Sequence, residues 1–142
     1  MLRKIRVMIV DDHELVRSGI SRLLSDNSDI EIIAEARTGE EAVHSVRIAK
    51  PDVIIMDIKM PGIGGLEATH KLIRMKPGIK ILILSVCTEH IFPNKLLKAG
   101  AFGYITKGSS SSEMIRAIRT IHGGNKYISP EIASTLALNS LQ

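Results

Sequence analysis

The chain has 142 residues, about one ordinary domain, and its 44% hydrophobic and 24% charged content suits a globular protein that buries a core. Its single cysteine, Cys87, excludes an internal disulfide and a thiolate metal cage. No apolar run approaches the ~20 residues needed to cross a bilayer, so a cytoplasmic protein without membrane contact is expected. The net charge of +4 invites a nucleic-acid partner, but the cations are scattered along the chain, with Arg3, Lys4 and Arg6 as the tightest cluster. Basic residues make a phosphate-binding track only when they share a face.

In chain order, short aliphatic runs alternate with amphipathic stretches. Residues 5–10 form the first run, and residues 13–24 follow with Leu15, Val16, Ile20, Leu23 and Leu24 on one helical stripe. A second run at 30–34 precedes a helix over about 39–49. A third at 53–56 ends in Asp57 and a Pro-Gly loop, ahead of a helix over 66–75. The fourth run, 81–85, leads into an irregular segment at 86–92. Pro93 suits a first helical turn, so the fourth helix is short and ends near Gly100. The fifth run, 102–106, precedes a helix over 112–122 with Met114, Ile115, Ile118 and Ile121 inward. Ser110 and Glu113 have capping-box spacing ahead of it, and Gly123-Gly124 stops it. Ser129-Pro130-Glu131 starts a last helix over 131–138. The runs lack polar alternation, as strands buried on both faces do. The pattern predicts an α/β doubly wound, five-stranded parallel sheet in the flavodoxin-like order 2-1-3-4-5, flanked by five helices, with an added C-terminal linker helix.

In such a sheet, ligands bind beyond the carboxyl ends of the strands, where strand order reverses. Asp11 and Asp12 close the first strand and Asp57 closes the third, its neighbour at that point. Three crowded carboxylates need a raised pKa or a bound cation, and an all-oxygen donor set favours a hard ion such as Mg²⁺. Ser85 and Lys107 reach the same edge from the fourth and fifth strands, a hydroxyl and an ammonium suited to phosphoryl oxygens. Taken singly, each of these residues reads better as a cap, a loop residue or a solvated charge. Their convergence on one edge is what points to chemistry. Gly62, Gly64 and Gly65 resemble a nucleotide loop, but Glu67 breaks the spacing and the first strand's acidic loop repels a pyrophosphate. The five histidines, His13, His44, His70, His90 and His122, show no metal-ligand spacing.

The stretches "VMIVDDHELVRSGI", "PDVIIMDIKMPGIGGLEAT", "ILILSVCTEH" and "AGAFGYITKGSSSSEMIRAI" resemble the receiver domain of two-component response regulators. The "DDHELVR" opening, the Lys-Gly-Ser junction and the "YISPEIA" tail are similar to the NarL/FixJ class, and more narrowly to its GacA-like members. The resemblance implies that Asp57 accepts a phosphoryl group from a sensor histidine kinase or a histidine phosphotransfer domain, to which its carboxylate stays exposed. Asp12, Asp57 and the backbone carbonyl of Lys59 would hold Mg²⁺, with Asp11 acting through water. Lys107 and Ser85 would bind the phosphoryl oxygens. Tyr104 would report the state of Ser85 to the surface around the fourth helix, fifth strand and fifth helix, with segment 86–92 as the bistable element. Such a molecule is mainly a switch that catalyses its own phosphorylation and dephosphorylation. Gly108 stands where many receivers have proline, and Lys59 and Cys87 occupy positions that in this family tune phosphoryl lifetime.

The resemblance further implies a receiver over residues 1–122 and a linker over 123–142, leading to a C-terminal helix-turn-helix domain that this chain lacks. DNA would be contacted only through that domain, and a homodimer formed on phosphorylation is left open. A stand-alone receiver, acting by docking or phosphorelay, is the alternative. A haloacid-dehalogenase-like phosphatase would need a second Asp where Lys59 stands, and a flavin-binding protein is opposed by the acidic first loop.

Overall fold

The computed structural model describes residues 3–85 and 93–140. Strand β1 (Ile5–Val10) is followed by α1 (Glu14–Ser25), β2 (Ile30–Ala36), α2 (Gly39–Ala49), β3 (Val53–Asp57) and α3 (Gly64–Met75). Then come β4 (Lys80–Ser85), α4 (Pro93–Lys98), β5 (Gly103–Thr106), α5 (Ser111–His122), β6 (Tyr127–Ile128) and α6 (Pro130–Ser140). All strand pairings are parallel, in the order β2-β1-β3-β4-β5-β6, so the expected doubly wound sheet is present and gains a sixth strand beside β5. Segment 86–92, with Cys87 and His90, lies outside the described residues. Among the described residues no helix is long and apolar enough to cross a membrane.

Successive strand residues face opposite sides, which produces two cores. Met8, Ile54, Met56, Ile81, Ile83 and Tyr104 pack on one side with Val46 of α2, Leu72 of α3, Leu96 of α4 and Ile132 of α6. Val7, Ile9, Ile55, Leu82, Leu84 and Ile105 pack on the other with Ile20 and Leu24 of α1 and Met114, Ile118 and Ile121 of α5. The central strands are buried on both faces, which is why they read as unbroken aliphatic runs. The expected Ser110 cap is present, its hydroxyl accepting the Glu113 N–H, and the Thr38 hydroxyl caps α2 by accepting the Glu41 N–H. The Ser129 hydroxyl, expected to cap the last helix, is buried without a hydrogen-bond partner among the described residues.

Helix α1 departs from the expected stripe. His13 is its N-cap, and the inward positions are Arg17, Ile20 and Leu24, whereas Leu15 is 87% exposed and Leu23 42% exposed. At about 100° per residue, Leu15 lies about 140° around the helix from Ile20 and cannot share its face. The inward arginine instead anchors the site's first loop, as described below.

The tail is packed onto the sheet. The Tyr127 N–H donates to the Phe102 carbonyl at 3.0 Å and the Ser129 N–H to the Tyr104 carbonyl at 2.9 Å, which carries β5's ladder into β6. Helix α6 then lies against β5 and α4, with Ile132 fully buried and Leu136 partly so. Ile132→Ala is expected to lower the unfolding free energy in urea by about 2–4 kcal/mol. Leu15→Ala should change it by less than about 0.5 kcal/mol.

Candidate functional site

The register of four strands assembles the site. Val10 pairs with Met56, so Asp11 and Asp57, one residue on in each strand, arrive side by side. Asp57 pairs with Leu84, which puts Ser85 one step beyond, and Ser85 pairs with Thr106, which puts Lys107 beyond again. The Lys107 N–H donates to the Ser85 carbonyl at 2.6 Å, holding the lysine's backbone to the end of β4. Its ammonium nitrogen Nζ then lies 3.2 Å from Asp11 Oδ2 and 3.4 Å from Asp57 Oδ1.

Local contacts fix each carboxylate. Asp11 Oδ1 accepts the His13 N–H at 2.8 Å, and Arg17 of α1 donates to the Asp11 carbonyl at 2.7 Å while bonding Glu35 at 3.1 Å. Beyond Asp57, Gly62 and Gly64 adopt left-handed backbone at φ +85° and +74° to turn the chain into α3. A Cβ on Gly65 would stand 2.5 Å from the Asp57 carbonyl oxygen, so only glycine lets the helix seat this closely. The three glycines serve this turn, consistent with rejecting a nucleotide loop.

The site is more enclosed than the sequence suggested. Asp57 is 3% exposed and Asp11 1%. The expectation of an open Asp57 is therefore corrected: its carboxylate is almost wholly buried. Burial, then the negative charge of Asp11, raises the Asp57 pKa above its ordinary value, while Lys107 and the Lys59 backbone N–H oppose the shift. The Lys59 side chain itself is exposed. Tyr104 is fully buried, and burial pushes its phenol up to about 12 despite the nearby Ser85 hydroxyl. No well-formed hydrogen bond reaches that phenol oxygen among the described residues.

One residue joins the cluster that the spacing argument passed over. His13 Nδ1 stands 3.2 Å from Asp11 Oδ1 and 3.1 Å from Asp12 Oδ1. One donor atom from each of Asp11, Asp12, His13 and Asp57 lies within 4.8 Å of the others. The available signal was adjacency, since His13 directly follows the aspartate pair. The donor set fits a divalent hard cation. Three carboxylates against one ammonium leave an excess of two negative charges. The buried atoms Asp11 Oδ2 and Asp12 Oδ1 receive no hydrogen bond of good geometry, although a nitrogen lies at ion-pair distance from each.

Residues 7–119 match the family described as the response regulator receiver domain. The chain belongs to that family. Receiver domains hold Mg²⁺ in an acidic pocket of this kind. The chain is 54% identical over 138 residues to the response regulator GacA of Pseudomonas viridiflava, covering 97% of this chain and 64% of that protein. It is 47% identical to the response regulator UvrY of Escherichia coli strain K12, covering 97% of this chain and 63% of the relative. A LuxR-family two-component response regulator from Aurantimonas sp. SI85-9A1 superposes with a TM-score of 0.92 at 37% identity, covering 98% of this receiver and 99% of that chain. These relatives bear out the resemblance to the NarL/FixJ class and its GacA-like members. The receiver spans just under two thirds of the GacA and UvrY chains.

The raised Asp57 pKa has a consequence for stability. A carboxyl whose folded pKa exceeds its unfolded value binds more protons when folded, so its contribution to stability falls as pH rises through that window. In metal-free buffer at neutral pH, Asp57→Asn should raise the urea midpoint. The gain should shrink as pH falls through the raised folded pKa and be gone below the ordinary carboxylate range, measured as midpoints across a pH series.

Proposed function

We propose that this receiver is a phosphorylation-activated switch of a GacA/UvrY-type response regulator, with Asp57 as the phosphoacceptor. The observation that carries the reading is the Lys107 ammonium held between Asp11 and Asp57 at the switch point of the sheet. In the proposed step, an ionised Asp57 oxygen attacks the phosphorus of a phosphohistidine on a sensor kinase or phosphotransfer domain. An O–P bond forms, the N–P bond breaks, and the imidazole leaves. The raised pKa makes the ionised carboxylate a better nucleophile. Lys107 and the Ser85 hydroxyl take the phosphoryl oxygens, and the pocket's fixed geometry supplies positioning.

Asp12, Asp57 and the Lys59 carbonyl would hold Mg²⁺, with Asp11 through water. When bound, the ion neutralises charge on the carboxylates and the transferring group. His13 is a positioning residue for Asp11 through its backbone N–H. Tyr104 and Ser85 form the switch. The phosphoryl group draws the Ser85 hydroxyl toward Asp57, and the buried phenol couples that shift to the α4–β5–α5 surface. Because α6 packs on α4 and β5, the output surface includes the tail. The receiver spans 1–122 and residues 123–142 form the connection to a DNA-binding helix-turn-helix domain, a cytoplasmic arrangement in which phosphorylation promotes homodimer formation. GacA and UvrY both extend well beyond the matched region, which favours this over a stand-alone receiver.

Incubation with acetyl phosphate and Mg²⁺ should yield an acid-stable, hydroxylamine-labile phosphoprotein. Asp57→Ala should abolish the label and EDTA should prevent it, and persistent labelling of the Ala variant would sink the assignment. Lys107→Ala should still take up label, yet lose the phosphorylation-dependent change in the amide exchange of β5 and α4. A full response in that variant would remove Lys107 from the switch.

A further inference from the structure

At the opposite edge of the sheet, the amino ends of β1 and β3 border a groove of about 550 Å³ lined by Arg3, Lys4, Arg6, Lys50 and Lys76. The groove continues into a second one that shares Lys50 and Lys76 and adds Arg47 at its far end. Its only acidic lining residues are Glu31 and Asp52. Six cations against two carboxylates leave an excess of four, which equals the net charge of the whole protein, +4. The rest of the chain therefore carries no net formal charge. Residues scattered in sequence are gathered onto one face: Lys50 ends α2 in a left-handed conformation at φ 53°, and Lys76 ends α3.

Within the groove the arginines and lysines differ. Arg3 pairs with Asp52 at 3.1 Å, and Arg6 donates to the Ala49 and Lys50 carbonyls at 2.6 and 3.3 Å. The guanidinium groups of Arg3 and Arg6 are thus engaged by the protein itself. Lys4, Lys50 and Lys76 are exposed, and no carboxylate pairs with their ammonium groups among the described residues. We infer that this groove binds the phosphate backbone of duplex nucleic acid, without base readout. Lysine ammonium groups meet phosphate oxygens as point charges, contacts that complement a polyanionic backbone and carry no base information. No aromatic side chain lines the groove, so nothing there stacks the bases of a single strand. Since the groove lies at the amino edge and Asp57 at the carboxyl edge, both can be engaged at once.

The test is fluorescence anisotropy of a labelled random-sequence DNA duplex with this 142-residue chain, titrated over a series of salt concentrations. The wild type should bind at low salt with a log–log salt slope of about −3, as roughly three neutralised phosphates require. The triple variant Lys4→Gln, Lys50→Gln, Lys76→Gln should bind about tenfold or more weakly and lose most of that slope. An equal charge change elsewhere, Arg22→Gln with Lys98→Gln and Lys126→Gln, should leave binding within about twofold. All six positions are exposed, and circular dichroism checks that both variants keep the fold. Equal losses in the two variants would overturn the inference, as would no binding by the wild type. Displacement of the duplex by polyglutamate or inorganic polyphosphate at a lower charge concentration than competitor DNA would show that the groove's occupant is not nucleic acid.

Discussion

The receiver depends on one electrostatic compromise, a single ammonium shared by two buried carboxylates. Two unit charges about 4 Å apart interact by about 4 kcal/mol at an effective dielectric of about 20. The Asp11–Asp57 repulsion is therefore large on the scale of a domain's net stability, and Lys107 offsets it from 3.2 and 3.4 Å. Four adjacent strands, β1, β3, β4 and β5, must end in register for that geometry to form. The parallel ladder sets the register, and the two aliphatic cores hold the ladder, so much of the sequence serves the placement of three atoms.

The compromise leaves a remainder, and the remainder is what makes the site useful. The pocket retains an excess of negative charge and two buried carboxylate oxygens without hydrogen bonds. A fold optimised only for stability would replace such groups. Here they leave a donor set that fits a divalent cation and an Asp57 carboxyl whose pKa is raised. Arg17 and His13 hold Asp11 from behind, and Gly65 lets α3 close on the backbone of Asp57.

Much of this was legible in the sequence where burial and periodicity agree. β1 begins and ends at the residues its aliphatic run marks, and Asp11, Asp57, Ser85 and Lys107 meet because strand ends in a parallel sheet share an edge. Reading failed where tertiary contacts override pattern. Leu15 looked like a core residue because leucines usually are, but the inward position belongs to Arg17, whose charge is satisfied by a carbonyl and Glu35. β2 runs two residues past its apolar stretch, to Ala36, because its backbone keeps pairing with β1 regardless of side-chain polarity. The enclosure of Asp57 and the gathering of Lys50 and Lys76 beside Lys4 are properties of three-dimensional proximity, which spacing along the chain does not encode.

The phosphoryl group is expected on Asp57 and on neither of the other two carboxylates of the pocket. Borohydride reduction of the phosphorylated receiver converts an aspartyl phosphate to homoserine, which tandem mass spectrometry can locate in the peptide. Homoserine should appear at position 57 alone. Homoserine at position 11 or 12, or aspartate at all three positions in a protein that carries the label, would contradict the Asp57 assignment.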